Sequence, residues 1–426
     1  MHHADTLLTN LRRVLTAASP AGPLRAADLG QPSILQDAAI AISGGRIAAI
    51  GPQAEIAAEW TADATIDGAG QVALPGWVDP HTHACYAGDR ADEFAMRIAG
   101  ATYQELMAAG GGIMSTVRAT RAASRAELVA QTRARLDRML AHGTTTVEIK
   151  TGYGLTTEDE IAMLEAIAEL ERSHPISIVP TFIGAHAIPA EFRGDPAGYT
   201  RLVVEEMLPA VAAWWERQDT WGGALACDVF CEEGAFDLEQ SRAILERARE
   251  LGFSTKLHVD EFAPLGGTPL AVELGALSAD HLVATPPEHV ALLAGSATVA
   301  VSLPGTPFGL GKHDFAPMRA IVDAGGALAL ATDCNPGTSI CESMPMMLAL
   351  ACRYGRLTPV EAIHAATINA AHALGLAGEV GSLEVGKRAD IILLDVPSEQ
   401  HAAYRFGTNP VSRVIKDGRL VVGAER

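Results

Sequence analysis

The feature that most constrains this chain is a repeated alternation, from Leu74 onward, of short apolar runs with stretches of helix-forming residues. Such alternation is typical of βα units arranged around a parallel sheet. Eight runs occur, and eight is the strand number of a closed β/α barrel. The runs are Val72–Val78, Thr144–Ile149, Ile176–Ile183, Cys227–Cys231, Ser254–Val259, Leu277–Leu282, Thr298–Leu303 and Ala327–Ala331.

The stretch from Ser124 to Leu140 shows the helical pattern between these runs. Ser124 is a favourable N-cap, Glu127 stands three residues later, and apolar residues recur at helical spacing. This stretch therefore predicts a helix.

Both ends of the chain have a β texture of their own. The segments that predict strands are Thr6–Leu15, Ala38–Ile42, Arg46–Ile50, Ala389–Leu394 and Val411–Leu420. We expect the C-terminal segment to pair with the N-terminal strands, because no linker or internal repeat separates them. The predicted organisation is a barrel at residues 73–375 and one small discontinuous β domain at residues 1–72 and 376–426.

Composition excludes several classes of protein. The chain has 426 residues, 48% of them hydrophobic and 19% charged, which is typical of a folded protein with a large core. Its formal net charge of −19 and its lack of Lys/Arg runs argue against nucleic acid as a partner. Without a leader pattern or a long apolar stretch, we expect a cytoplasmic protein with no membrane partner. The six cysteines lack paired CxxC spacing, so we expect them to be reduced.

The residues that follow the apolar runs are those of a metal site. His81 and His83 follow the first run two residues apart, so both imidazoles can face the same way. His258 lies at the end of the fifth run, and Asp333 follows the eighth. In a barrel the carboxyl ends of all strands meet at one mouth, and three imidazoles with one carboxylate suit Zn²⁺ or Fe²⁺.

Further polar residues at the same mouth could move protons or polarise a carbonyl. Glu261 lies three residues past His258, although strict alternation along the strand would favour Asp260 instead. His186 and His281 end the third and sixth runs. The predicted catalytic residues are Glu261, His186, His281 and Asp333.

Longer motifs carry a resemblance to a known family. The segments Leu74–His83 and Gly381–Asp390 resemble the amidohydrolase superfamily. Seven further segments, in order, resemble the imidazolonepropionase family within it: Gly88–Arg90, Ala109–Ile113, Lys150–Leu155, Gly184–Ala187, Asp228–Glu232, His258–Phe262 and Asn335–Ser339. The resemblance extends over essentially the whole chain.

The resemblance implies a distorted (β/α)8 barrel with a small β-sandwich domain from both chain ends, one Zn²⁺ or Fe ion per subunit, and a homodimer. It implies hydrolysis of the cyclic amide of 4-imidazolone-5-propanoate to N-formimidoyl-L-glutamate in histidine degradation.

By motif, the metal ligands would be His81, His83, His258 and Asp333. Substrate or product contacts would be Arg90, Tyr153, His186, Asn335, Gly337 and Thr338, where Thr338 replaces the serine of many relatives.

Two other functions remain open at this point. The same barrel could belong to another cyclic amidohydrolase, or to an aminoazole or nucleobase deaminase. A non-catalytic scaffold is the other alternative, and retention of all four ligand candidates argues against it. Dinuclear relatives typically use a lysine on the fourth strand, whereas here Lys150 ends the second run, which favours one metal.

Overall fold

A computed structural model describes residues 1–19, 22–101, 105, 110–218 and 225–423 of the chain. Ala109, in one of the motifs above, and residues 424–426 of the predicted C-terminal segment lie outside the described residues. Within the described ranges, no helix is both long enough and apolar enough to cross a membrane.

The strands form two eight-stranded sheets. In chain order they are β1 (His2–Leu15), β2 (Ile34–Ser43), β3 (Arg46–Pro52), β4 (Trp60–Asp67), β5 (Val72–Pro75), β6 (Trp77–Asp79), β7 (Thr144–Lys150), β8 (Ser177–Ala185), β9 (Ala226–Cys231), β10 (Ser254–Val259), β11 (Ser278–His281), β12 (Val299–Ser302), β13 (Leu328–Leu330), β14 (Ile391–Leu394), β15 (Val411–Lys416) and β16 (Arg419–Val422).

Helices connect the strands, and most of them cover the sheet formed by β6 to β13, whereas α2 contacts strands of the other sheet. They are α1 (Ala26–Leu29), α2 (Gln53–Glu59), α3 (Ala91–Ile98), α4 (Ile113–Ala122), α5 (Arg125–Ala141), α6 (Thr157–Ser173), α7 (Pro196–Leu202), α8 (Leu208–Trp215), α9 (Leu238–Glu250), α10 (Gly267–Leu274), α11 (Pro287–Ala294), α12 (Gly305–Gly309), α13 (Met318–Asp323), α14 (Met344–Tyr354), α15 (Pro359–Ala365), α16 (Ile368–Ala373) and α17 (His401–Tyr404). A 3₁₀ turn (Ala190–Phe192) precedes α7, and a π-helical turn (Val203–Met207) joins α7 to α8. The predicted helix is confirmed as α5, with Ser124 and Glu127 forming its capping box.

Strands β6 to β13 are parallel and hydrogen-bonded in sequence order. Past the ends of β6 and β13, the Asp333 N–H donates to His81 O at 3.1 Å and the His83 N–H donates to Cys334 O at 3.0 Å. These bonds join the first and last strands at the carboxyl end. The predicted fold class is confirmed, since a nearly closed eight-stranded barrel lies beside a separate sheet from both chain ends.

The expectation of one strand over Val72–Val78 is wrong. Residues Val72–Pro75 belong to the mixed sheet, where they pair with β1 and β14, and only Trp77–Asp79 enters the barrel. The chain passes from one sheet to the other at Gly76, where a Cβ would collide with the Thr145 side chain. The close approach requires glycine, and apolar periodicity alone does not reveal it.

The mixed sheet has the order β16-β15-β14-β5-β1-β2-β3, with β4 parallel to β1. Its strands are joined through hydrogen bonds in one continuous order. Its apolar core includes Leu8, Ile40, Ile391, Leu393 and Ile415, which come from both chain ends. The two chain ends thus share one sheet as expected, but they are joined through β5, which pairs with β1 on one side and with β14 on the other. The domain boundaries at residues 72 and 376 stay a prediction.

The barrel interior holds a cluster of fully buried charged side chains. Glu148 lies between two lysines, with Oε2 at 2.8 Å from Lys150 Nζ and Oε1 at 2.9 Å from Lys256 Nζ. Lys150 also donates to Asp228 at 2.7 Å. Ions removed from water cost several kcal/mol each unless they are paired, so each charge here depends on the others.

We expect Glu148→Gln to destabilise the protein by about 3 kcal/mol, because it leaves two buried lysines with less compensating charge. Thermal and urea unfolding would measure the loss. Glu246→Gln is the control, because Glu246 pairs with Arg242 on the exposed face of α9 at 3.4 Å. Equal unfolding midpoints for the two variants would show that the interior cluster does not stabilise the barrel.

Candidate metal centre and active site

Three imidazoles and one carboxylate converge at the carboxyl end of the barrel. His81 and His83 follow β6, His258 lies in β10, and Asp333 follows β13. His83 Nε2 lies 3.2 Å from His258 Nε2, and Asp333 Oδ1 lies 3.7 Å from His81 Nε2 and 3.8 Å from His83 Nε2. The structure thus brings together all four residues that the strand ends predict.

The spacing of these atoms fits a single metal ion. A tetrahedral ion with bonds of about 2.0–2.2 Å separates its ligand atoms by about 3.3–3.6 Å. His81 Nε2 is buried and has no hydrogen-bond partner among the described residues. His83 Nε2 and His258 Nε2 face each other, and if both carry lone pairs, a cation between them would give each nitrogen a partner. The four side chains could therefore hold a metal.

Two buried carboxylates orient the imidazoles. His81 Nδ1 lies 2.6 Å from Asp280 Oδ2, and His258 Nδ1 lies 3.0 Å from Asp228 Oδ2. A His81 Nδ1–H that donates to Asp280 leaves Nε2 as a lone pair, which is the tautomer that a metal requires, whereas His258 Nδ1 contacts Asp228 without hydrogen-bond geometry. The sequence patterns at the strand ends did not predict either carboxylate. Each could have been found as an ionisable residue inside a barrel strand, and Asp280 also directly precedes His281.

Burial sets the protonation of the cluster. It lowers the pKa of His81 and His83 well below the ordinary value, with the charge of Lys150 acting in the same direction for both. Burial also raises the pKa of Asp333 to about 6, against the opposing hydrogen bond from Thr306. Neutral imidazoles are the ligand form, so His81 and His83 offer their nitrogens to a cation at neutral pH.

Glu261, and not Asp260, faces the cluster. Asp260 has φ +52° and its carboxylate accepts hydrogen bonds from Thr268 and Thr285. The left-handed backbone ends the strand alternation, and Glu261 turns to the mouth with Oε2 3.7 Å from His281 Nδ1. Burial raises the pKa of Glu261 well above its ordinary value, and the charge of Asp333 adds to this effect.

His186 and Tyr153 form an aromatic wall beside the cluster. The His186 ring stacks on His83 with centroids 4.5 Å apart, and its Nδ1 lies 3.0 Å from Gly152 O. Burial lowers the pKa of His186 to about 3. A neutral His186 that donates from Nδ1 has an acceptor at Nε2. The Tyr153 ring centroid lies 5.3 Å from that of His186.

Arg90 and the segment from Asn335 to Thr338 form another side of the mouth. A Cβ on Gly337 would lie 2.5 Å from Arg90 Nη1, so the guanidinium packs where only glycine leaves room. Asn335 Oδ1 accepts the N–H groups of Gly337 and Thr338, each at 2.8 Å. The Asn335 side chain therefore shapes this loop, and its oxygen is already engaged.

The comparisons with known proteins agree with this geometry. The Amidohydrolase family matches residues 241–421. A curated imidazolonepropionase of Herpetosiphon aurantiacus is 66% identical over 421 residues, covering 99% of this chain and 98% of the relative. One of Symbiobacterium thermophilum is 49% identical, with 99% and 98% covered.

Solved structures of lower identity share the fold. A triazine hydrolase variant matches with a TM-score of 0.75 at 21% identity, covering 99% of this chain and 95% of that one. A zinc-bound adenosine deaminase of Xanthomonas campestris matches with a TM-score of 0.71 at 19% identity, with 99% and 94% covered. The family match and the buried cluster together indicate a site for a metal ion.

We expect Asp333→Asn to lower metal affinity about 10- to 100-fold, because it removes the charged oxygen while nearly preserving shape. Metal content after dialysis, measured by elemental analysis, should fall together with turnover. Asp323→Asn is the control, since Asp323 pairs with Arg319 near the surface at 2.9 Å. Full metal content in Asp333→Asn would remove Asp333 from the ligand set.

Proposed function

The chain belongs to the imidazolonepropionase family, and we propose that it hydrolyses the cyclic amide of 4-imidazolone-5-propanoate to N-formimidoyl-L-glutamate in histidine degradation. The observation that carries this proposal is 66% identity to a curated imidazolonepropionase across 99% of the chain. The buried cluster of imidazoles and acids at the barrel mouth supports a hydrolytic site.

In this proposal His81, His83, His258 and Asp333 hold one Zn²⁺ or Fe ion per subunit. When bound, the ion supplies Lewis acidity and makes hydroxide available near neutral pH. Lys150 is paired with Asp228 and Glu148, which supports a single ion over a lysine-bridged pair. The proposal also includes a homodimer, as the family resemblance implies, and a cytoplasmic location, as the sequence patterns led us to expect.

Glu261 is the proposed proton carrier. Its carboxyl group turns to the cluster, and its raised pKa favours the form that has taken up a proton, so it can accept a proton from the attacking water and deliver it to the departing ring nitrogen. His281, 3.7 Å away, is placed to stabilise negative charge on the carbonyl oxygen as the ring opens. His186 stays neutral, and its free Nε2 can accept a hydrogen bond from a ring N–H.

The opposite end of the substrate carries a carboxylate, for which Arg90 is the proposed partner. A guanidinium binds a carboxylate through two parallel N–H groups, which would fix the ring relative to the cluster. Tyr153 remains a protonated phenol, because burial raises its pKa well above the ordinary value. It can therefore donate a hydrogen bond. Asn335, Gly337 and Thr338 form the adjoining wall.

We expect the metal-loaded enzyme to open freshly generated 4-imidazolone-5-propanoate, seen as loss of its ultraviolet absorbance above the spontaneous rate. The reaction should release no ammonia, because the ring amide is cleaved and no amino group leaves. Asp333→Asn serves as the inactive control. Ammonia release from an aminoazole or nucleobase, without ring opening of the imidazolone, would favour the deaminase alternative.

Arg90→Ala should raise KM about 10- to 100-fold while kcat changes far less, because the clamp acts on the carboxylate and not on the reacting amide. Steady-state kinetics measures both constants. Arg97→Ala is the matched control, since Arg97 lies in the last turn of α3, the helix that Arg90 precedes, and its guanidinium lies 5.8 Å from the centre of the Phe94 ring. An unchanged KM in Arg90→Ala would remove Arg90 from this role.

A further inference from the structure

We propose that Glu93 is a positioning residue that holds the Arg90 guanidinium toward the substrate carboxylate. The inference rests on the proposed function and adds a residue that no motif singled out. Glu93 lies on α3, three residues after Arg90. The two side chains are 17% and 18% exposed, so water screens their pairing less than on an open surface.

The contact between them uses one edge of the guanidinium. Arg90 Nε and Nη2 both donate to Glu93 Oε2, at 2.9 and 2.8 Å. The Nη1 end points away from this carboxylate, to Gly337. A guanidinium has five N–H donors in a rigid plane, so occupation of one edge fixes the direction of the other. Glu93 therefore presents the Nη1 end of Arg90 to the mouth.

Glu93 is itself held from its other side. Its Oε2 accepts the Gly112 N–H at 3.0 Å, and its Oε1 accepts the Ser115 hydroxyl at 2.9 Å. These bonds attach the carboxylate to the start of α4. Burial favours the protonated acid, but the bonds from Arg90, Gly112 and Ser115 hold the pKa of Glu93 below its ordinary value. The carboxylate is thus a charged and immobile anchor.

The position of Arg90 relative to the site supports the direction of this effect. Burial raises the pKa of Tyr153, and the nearby charge of Arg90 opposes that rise. Arg90 Nη1 packs against Gly337, on the side of the mouth proposed for the propionate. If charge alone mattered, Glu93 would weaken anion binding by neutralising Arg90. If orientation matters more, Glu93 strengthens it, and the two cases predict opposite changes in KM.

Two substitutions separate these cases. Glu93→Gln removes the charge and retains the length, and Glu93→Asp retains the charge but withdraws it by one methylene. We expect each to raise KM about 5- to 10-fold with kcat changed less than about twofold, because a misdirected clamp weakens binding without touching the reacting atoms. In an Arg90→Ala background, Glu93→Gln should change KM less than about twofold, since a residue that acts through Arg90 has nothing left to position.

The controls report on structure. The matched control is Glu250→Gln, which breaks a surface pair with Arg247 of the same i,i+3 spacing, 2.9 Å long. Metal content and thermal midpoint are measured for every variant. If the wild-type enzyme opens the ring, either of two results overturns the inference. One is a lower KM in Glu93→Gln, and the other is a rise in KM from Glu93→Gln that is as large in the Arg90→Ala background as in the wild-type background. Failure of the wild-type enzyme to open the ring overturns the proposed function, and this inference with it.

Discussion

The centre of this protein depends on one set of interactions, the contacts of two buried carboxylates, Asp228 and Asp280, with lysine and histidine side chains. Asp228 contacts Lys150 on one side and His258 on the other, at 2.7 and 3.0 Å. Asp280 contacts His81 at 2.6 Å. An unpaired charge inside the barrel would lower the stability of the fold, so each buried carboxylate and each buried lysine needs a partner. The Asp280 carboxylate also directs the lone pair of His81 Nε2 to the mouth, because it accepts the hydrogen bond from His81 Nδ1.

The backbone leaves regular strand geometry where these side chains are presented. Asp260, His281 and Asp333 have φ values of +52°, +81° and +52°. Non-glycine residues in this region cost of order 1–3 kcal/mol each and persist only where the surroundings hold them. Here hydrogen bonds to the side chain of Asp260 hold the turn after β10. Because the backbone leaves strand geometry at Asp260, the side chain of Asp260 bonds within the barrel wall while that of the next residue, Glu261, faces the site.

Acidic side chains also organise the loops around the mouth. Glu160 accepts the N–H groups of Gly154 and Leu155, each at 2.8 Å, beside Tyr153. Glu232 accepts the Phe262 N–H at 2.9 Å, immediately after Glu261. A buried carboxylate can satisfy several backbone donors at once, so one side chain orders a whole turn. Glu93 follows the same pattern with a guanidinium as one of its donors.

The sequence by itself determined the βα alternation, the capping box at Ser124 and the four candidate ligands, because these depend on local periodicity and on the residues at strand ends. It did not reveal the break at Gly76, which depends on a side chain of a neighbouring strand. Only the tertiary structure decided between Asp260 and Glu261, since the choice rests on one left-handed residue. It also decided which charges pair across the barrel. Asp280 and His81 lie 199 residues apart, and no local pattern specifies their contact.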